Sequence, residues 1–280
     1  MYSPKGDEMY WYNGNLIESG TLELAIDDPG LLYGAKVFTT LRVYEQSLDS
    51  PLTNWKGHCD RLCCSVQTFD WQQPDWEQLR QQAEALIPHF PVLRITLFPD
   101  GREWISGRFF PDDLTERQKY GVKSWLAAEP LFCRSIPEHK TGNYLPAWLA
   151  WGKAQQMGAT EAILVDDKGN WLETSTGNLW GWRDGKWWTP PLYAGILPGI
   201  ARSQLINWLA SQNLTPGQVP WDADFVKGLS VLAYSNCVVQ VVPIHTVLCQ
   251  EGTLTFDPLH SSLEQLQSLF QRYQTHQASP

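Results

Sequence analysis

The stretch from Pro137 to Arg202 constrains the fold more than any other part of the chain, because its hydrophobic period changes several times. A helix is predicted over 145–156, because Leu145, Trp148, Leu149, Gly152 and Gln156 recur at spacings of three and four positions. The apolar run from Ala162 to Val165 is followed by a turn at 166–169, which predicts a buried strand. A helix and several short strands within one segment indicate a mixed α/β (α+β) protein.

Three features of this stretch carry chemistry: Lys140, Glu173 at 33 positions further on, and a Gly/Pro loop at 195–199 that enters a helix. Such a helix start binds anions, because its N–H groups point outward and the helix dipole favours negative charge. A lysine can form a Schiff base and a carboxylate can hold a pyridinium N–H, so the three features together suit pyridoxal phosphate. Taken singly, each has a simpler interpretation: a surface lysine, an exposed strand residue and an ordinary helix entry.

The order of these motifs resembles the class IV (fold type IV) pyridoxal-phosphate enzymes, which include branched-chain and D-amino-acid aminotransferases and 4-amino-4-deoxychorismate lyase. The matching residues are Lys140 with Asn143, Glu173 with Asn178-Leu179, and Gly195-Ile196-Leu197-Pro198-Gly199-Ile200 with Arg202. The resemblance covers most of the chain. It implies a two-domain, D-amino-acid aminotransferase-like fold with the cofactor at the domain junction, and a homodimer.

The resemblance also implies roles for individual residues. Lys140 would form the Schiff base and transfer protons, and Glu173 would hold the ring nitrogen of the cofactor. Tyr144 would lie near the phenolic oxygen of the ring, and Leu197 would pack on the ring face. The phosphate would be bound by Arg61, whose guanidinium suits phosphate oxygens, by the amides of Ile200 and Ala201, and by Ser235 and Asn236.

The substrate is less constrained than the cofactor. The segment Phe38-Thr39-Thr40-Leu41-Arg42-Val43 resembles the active-site strand of some deoxychorismate lyases. The chain departs from the family pattern at Ala35-Lys36, where Asp-Gly is usual, and at Tyr144, where many lyases have arginine. The predicted substrate contacts are Thr39, Arg94 and Arg134.

These observations favour a lyase that converts 4-amino-4-deoxychorismate into 4-aminobenzoate and pyruvate, a step of folate biosynthesis. One alternative is a branched-chain or D-amino-acid aminotransferase of the same family, since Lys140 and Glu173 would serve both reactions. A second alternative is a binding protein that keeps the fold and has lost the chemistry.

The chain length of 280 residues suits two domains. Residues 129–138 contain two prolines and no clear hydrophobic period, so they are the predicted connector. The expected division is an N-terminal domain at 1–128 and a C-terminal domain at 139–280 that carries the Schiff-base lysine.

Composition excludes several classes of function. A net charge of -9 argues against a nucleic-acid partner. No apolar run approaches the ~20 residues that a membrane helix needs, and the N-terminus has no signal-peptide core. The six cysteines lack metal-ligand spacing with histidine, so no metal is expected, and reduced thiols point to the cytoplasm.

Overall fold

The computed structural model describes residues 9–271, which form two compact units. The first unit runs up to Pro111 and also contains 139–143, and the second contains 112–138 and the chain from Tyr144 onward. This division differs from the predicted boundaries at 128/129 and 138/139. The difference arises because the strand Val122–Ala127, expected in the N-terminal domain, pairs on both sides with strands of the second unit.

The first unit is a five-stranded antiparallel sheet with helices packed on one face. Its elements are β1 (Met9–Tyr12), β2 (Asn15–Glu18), α1 (Pro29–Leu32), β3 (Val37–Arg42), α2 (Trp55–Thr68), α3 (Trp76–Leu86), β4 (Val92–Leu97) and β5 (Glu103–Arg108). The strand order is β2-β1-β5-β4-β3.

The two faces of this sheet differ in chemistry because side chains alternate along each strand. Val37 and Leu41 of β3 belong to the hydrophobic core that α2 and α3 share with the sheet. Phe38, Thr40 and Arg42 therefore lie on the opposite face. Arg94 of β4 pairs with Thr40, which places it on that same face. The face away from the helices is consequently polar and positively charged.

The second unit is built on a larger mixed sheet that closes on itself. Its elements are α4 (Leu114–Tyr120), β6 (Val122–Ala127), α5 (Leu145–Gln156), β7 (Glu161–Val165), β8 (Trp171–Thr174), β9 (Asn178–Arg183), β10 (Lys186–Thr189), α6 (Ile200–Ser211), β11 (Gly217–Gln218), α7 (Ala223–Lys227), β12 (Val231–Asn236), β13 (Gln240–Cys249), β14 (Gly252–Thr255) and α8 (Leu263–Gln271). The strand order is β11-β10-β9-β12-β13-β6-β7-β8, with β14 on β13. A further pairing between Glu173 of β8 and Asn178 of β9 joins the last strand to the third.

Small residues bring α5 close to this sheet. Ala147, Ala150 and Ala154 are buried on one side of the helix and share a core with Ala162 and Leu164 of β7. The close packing fixes the β7–β8–β9 region, which carries the predicted site residues of this unit.

At the chain end, the spacing of Leu263, Leu266, Leu269 and Phe270 predicts a helix at 263–273, followed by a frayed segment at 275–280. The helix is observed as α8, and residues 272–280 lie outside the described part of the chain. Among residues 9–271, no helix combines the length and the apolar character needed to cross a bilayer.

Candidate cofactor site

Lys140 is held against the edge of the sheet in the first unit. Its carbonyl oxygen accepts a hydrogen bond from the Phe38 amide at 2.8 Å, and Val37 and Thr141 form a bridge beside it. The Lys140 Nζ lies 4.7 Å from the centre of the Phe38 ring. The side chain of the predicted Schiff-base lysine is therefore on the polar face of the sheet.

Arg61 of α2 lies on the other side of β3, in a small polar cluster. Its guanidinium donates to the Thr39 hydroxyl at 2.8 Å, and the same hydroxyl lies 2.5 Å from Nδ1 of His58. Burial, and then the charge of Arg61, hold the pKa of His58 well below its usual value, so this ring is neutral. His58 thus has a structural part in orienting Arg61 and Thr39.

The placement of Thr39 corrects the expectation that it contacts substrate. Thr39 is 0% exposed and is bonded to Arg61 and His58 on the helix side of the sheet. Alternation along β3 places Thr40, and not Thr39, on the face that carries Arg94.

The polar face carries the second group of charged residues. The Arg94 guanidinium carbon lies 3.6 Å from the centre of the Phe38 ring, which also contacts Lys140. Arg42 stacks against the rings of Tyr44 and Phe110 at 5.0 and 4.4 Å. These contacts are cation–π interactions, and the shared Phe38 ring holds the Arg94 guanidinium near the Lys140 amine.

In the second unit, Glu173 is buried at the point where β8 and β9 close the sheet. Its carboxylate accepts a hydrogen bond from Arg134, and also from the Asn178 side chain at 3.3 Å and the Leu197 amide at 3.1 Å. All three neighbours are donors, which favours the ionised carboxylate. Such a group can hold a protonated ring nitrogen, as predicted for Glu173.

The loop 195–199 leads into α6 as predicted, and its position is fixed through Asn178. The Asn178 side chain donates to the Leu197 carbonyl at 2.9 Å, and its oxygen lies 2.0 Å from where a Cβ on Gly199 would be. The backbone before α6 therefore approaches Asn178 closely, which only glycine permits. The helix begins at Ile200, so the amides of Ile200 and Ala201 lie in its first turn, where anions bind.

Ser235 and Asn236 lie at the end of β12, and hydrogen bonds restrain both side chains. Ser235 is buried and its hydroxyl accepts from the Trp180 indole at 2.9 Å. The Asn236 oxygen accepts from the amides of Val238 and Val239, at 2.9 and 3.0 Å, which forms the turn into β13. Phosphate binding by these two residues stays a prediction.

Tyr144 precedes α5 and is tied to the loop between β8 and β9. Its hydroxyl donates to the Ser175 carbonyl at 2.8 Å. The same loop rests on Glu161, which accepts from the hydroxyls of Ser175 at 2.6 Å and Thr176 at 2.8 Å. Burial raises the pKa of Glu161. Sequence reasoning missed Glu161, because a glutamate at the start of an apolar strand carries no motif.

Arg134 lies against Glu173, and its predicted contact with substrate stays a prediction. Its guanidinium pairs with Glu173 and donates to the Pro137 carbonyl at 3.2 Å, and it lies 5.8 Å from the centre of the Tyr144 ring. A cavity of about 240 Å³ is lined by both partners of the ion pair. Sequence reasoning also left Asn178 out of the site, although its spacing of five from Glu173 was part of the motif.

Comparisons with known proteins show the family of the chain. The profile described as amino-transferase class IV matches residues 36–247. The chain is 22% identical over 268 residues to the aminodeoxychorismate lyase of Vibrio harveyi, with 89% of this chain and 94% of the relative covered. It is 25% identical over 272 residues to the branched-chain-amino-acid aminotransferase of Escherichia coli K12, with 88% and 87% covered.

Solved structures show the same fold. The branched-chain amino acid aminotransferase of Escherichia coli superimposes with a TM-score of 0.79 at 19% identity, covering 96% of this chain and 95% of the other. The PLP-bound form of a hypothetical aminotransferase from Mycobacterium tuberculosis gives a TM-score of 0.77 at 18% identity, covering 93% of this chain and 99% of the other.

The residues present fit pyridoxal phosphate. Glu173 is a buried carboxylate that accepts hydrogen bonds from three donors, and the amides of Ile200 and Ala201 lie in the first turn of α6. Lys140 offers an amine on the polar face of the first unit. These groups match the ring nitrogen, the phosphate and the aldehyde of the cofactor.

Proposed function

Because the chain belongs to the class IV aminotransferase family, whose solved members include PLP-bound forms, we propose that it is a 4-amino-4-deoxychorismate lyase. The protein is a PLP-dependent enzyme of that family and acts on an amino substrate. The lyase reaction would release pyruvate and form 4-aminobenzoate. Retention of both Lys140 and Glu173 argues against the inactive binding protein considered from the sequence.

The observation that carries the lyase assignment is the charged face of the sheet in the first unit. Arg42 and Arg94 share this face, and Arg94 and Lys140 contact the same Phe38 ring. The lyase substrate has two carboxylates, one on the ring and one on the enolpyruvyl group. Guanidinium groups bind carboxylates well, whereas an aliphatic side chain would gain little from them.

The site residues would then have separate roles in this reaction. When bound, pyridoxal phosphate supplies an electron sink for the carbon that bears the substrate amine. Lys140 would remove the proton from that carbon through Nζ, and the C–O bond to the enolpyruvyl group would break. The electron pair would leave with the oxygen of that group, the released enolpyruvate would take up a proton to become pyruvate, and the ring would become aromatic. Glu173 would hold the ring nitrogen, while Arg61 and the start of α6 would bind phosphate.

An aminotransferase is the second candidate, and Tyr144 is the observation that favours it. The tyrosine stands where many lyases have arginine, and its hydroxyl is fixed on the Ser175 carbonyl. An aminotransferase would use the same proton removal by Lys140, and the same amine would later return a proton. The amino acid would be branched-chain or of the D series, and a dicarboxylate donor would also suit Arg42 and Arg94.

We further propose a homodimer in the cytoplasm. Large apolar side chains are exposed on the first unit, with Leu31 at 57%, Leu32 at 54% and Tyr33 at 72%, as expected of a surface that another chain covers. The six cysteines are free thiols, as in a reducing compartment. Analytical ultracentrifugation tests the dimer, and a monomer at micromolar concentration would contradict it.

Substitution of Lys140 tests the enzyme assignment directly. Lys140→Ala should abolish turnover and the visible absorption of lysine-bound cofactor, at about 410–430 nm, and leave the fold intact. Lys56→Ala is the matched control, because Lys56 is exposed and forms its ion pair with Asp60, four residues on in the same helix. Turnover retained in Lys140→Ala would rule out the proposed role of this lysine.

A further inference from the structure

Glu173 and Arg134 form an ion pair that is almost completely removed from solvent. Their side chains are 6% and 9% exposed. Removing charges from water is costly unless the partners are well bonded, so a buried pair of this kind is costly to break. Arg134 is anchored in turn, because it also donates to the Pro137 carbonyl at 3.2 Å. The arginine is thus fixed in place by the backbone of the segment that precedes Lys140.

The other neighbours of Glu173 point to the same charge state. Asn178 and the Leu197 amide donate to one carboxylate oxygen, and Arg134 donates to the other. A protonated carboxyl group would present its own O–H to at least one of these donors. The surroundings therefore select the carboxylate, and Arg134 is the only one of the three donors that carries a charge.

We propose that Arg134 is a positioning residue that keeps Glu173 ionised, so that the proton shared with the ring nitrogen of pyridoxal phosphate stays on the ring. This inference rests on the proposed function, since it concerns the bound cofactor. A proton shared by two bases lies on the stronger one. A cation in direct contact with the carboxylate would weaken that base more than it would weaken a ring nitrogen held through the carboxylate. Arg134 would act through Glu173 and need not touch the substrate.

Other ionisable groups line the cavity beside Arg134 and Glu173. The cavity that reaches Arg134 and Glu173 is also lined by Cys133, Asp166 and Asp167. Burial alone would raise the pKa of Asp166, but hydrogen bonds from Asn170 and the Lys168 amide outweigh that effect and lower the pKa. Asp166 is therefore negatively charged at neutral pH. A further negative charge would favour protonation of Glu173, and the cation of Arg134 opposes that effect.

The first test measures the charge of Glu173 without any cofactor. The δ-carbon signal of Glu173 is followed by ¹³C NMR in full-length protein with labelled glutamate, and Glu173→Gln assigns it. In Arg134→Met the carboxyl group should take up its proton roughly 1–3 pH units higher than in the wild type. Arg134→Lys, which keeps the cation, should shift it less. Arg183→Met is the control, because Arg183 pairs with the exposed Asp184.

The second test measures the protonation state of the ring nitrogen of bound pyridoxal phosphate by NMR. With ¹⁵N-labelled pyridoxal phosphate, the nitrogen shift should move toward the unprotonated value in Arg134→Met, and kcat should fall while KM changes little. The cavity of about 240 Å³ beside the pair admits a small cation. In Arg134→Ala, methylguanidinium at concentrations that do not denature the protein should therefore restore both the ring-nitrogen shift and kcat toward their wild-type values. Restoration would not follow if Arg134 only supported the fold.

The two tests separate failure of this inference from failure of the proposed function. Identical carboxyl titrations in the wild type and Arg134→Met would overturn the inference, whatever the cofactor does. An unchanged ring-nitrogen shift in a variant whose carboxyl titration has moved would overturn it as well. A wild-type chain that binds no pyridoxal phosphate would overturn the proposed function, and the carboxyl titration would still report on the ion pair.

Discussion

At the scale of single residues, Glu161 shows how a buried acid can support a site without belonging to it. Its carboxylate accepts from the hydroxyls of Ser175 and Thr176, in the loop that joins β8 to β9. Arg117 and Tyr234 contribute to its electrostatic surroundings. Burial raises its pKa above the ordinary value of 4.5 despite these hydrogen bonds. The folded protein consequently binds a proton at Glu161 more tightly than the unfolded chain does.

This shift predicts how stability depends on pH. Below the unfolded pKa of Glu161 its contribution is complete, and it is lost as pH rises through the higher folded pKa. Compared with Glu161→Gln, the wild type should therefore lose stability as pH rises, by about 1.4 kcal/mol for each pH unit between the two pKa values. Urea unfolding at a series of pH values measures the difference.

The control for this experiment is Glu264→Gln, which removes an exposed glutamate from α8. Its stability should run parallel to the wild type across the same pH range. If the free energy of unfolding of Glu161→Gln also stays parallel to that of the wild type across this pH range, a raised pKa at Glu161 is contradicted.

Residue types and spacing allowed only part of the site to be predicted. The motif of Glu173 and Asn178 was visible in the sequence, but its position at the point where the sheet closes was not. The face on which Thr39 lies depends on which side of β3 the helices cover, and a strand pattern alone leaves that open. The pairing of Arg134 with Glu173 joins residues 39 positions apart in the sequence. No local period encodes such a contact.

At the scale of elements, turn residues and hydrophobic spacing predict most of the first unit. The dipeptide Asn13-Gly14 predicts a hairpin over 9–17, which is present as β1 and β2, with both residues at positive φ. Helical spacing predicts helices at 55–69 and 76–87, which are observed as α2 and α3. Elements without such signals were missed. The helix α4 has seven residues and buries only Leu114, so its sequence has no apolar stripe.

The entry into α6 provides a prediction at this scale. A Cβ at position 199 would lie 2.0 Å from the Asn178 side-chain oxygen. Gly199→Ala should therefore displace Asn178, lower stability by about 1–3 kcal/mol and weaken binding of pyridoxal phosphate. Urea unfolding gives the first quantity, and quenching of tryptophan fluorescence by added cofactor gives the second.

Gly152→Ala is the matched substitution in α5. A Cβ there meets nothing within 4 Å, and alanine is favoured over glycine in a helix by about 1 kcal/mol. This variant should be more stable than the wild type and should bind cofactor unchanged. Similar effects of the two substitutions would show that Gly199 has no special role.

At the scale of the whole molecule, the sequence predicted a two-domain α/β protein and the family of enzymes to which it belongs. It did not predict the division of the chain. The segment 112–138 joins the second unit because β6 is an interior strand of that sheet, between β13 and β7. A strand reveals its neighbours only through long-range pairing, and composition at the boundary gives no sign of it.

The central claim is the reaction, and a paired assay on one cofactor-loaded preparation tests it most directly. One arm follows 4-aminobenzoate formed from enzymatically generated 4-amino-4-deoxychorismate. The other offers branched-chain L-amino acids and D-alanine with 2-oxoglutarate. We expect 4-aminobenzoate and pyruvate in the first arm and no transfer of amino groups in the second. Keto-acid formation in the second arm, with no 4-aminobenzoate in the first, would contradict the lyase assignment and show that Tyr144 marks an aminotransferase.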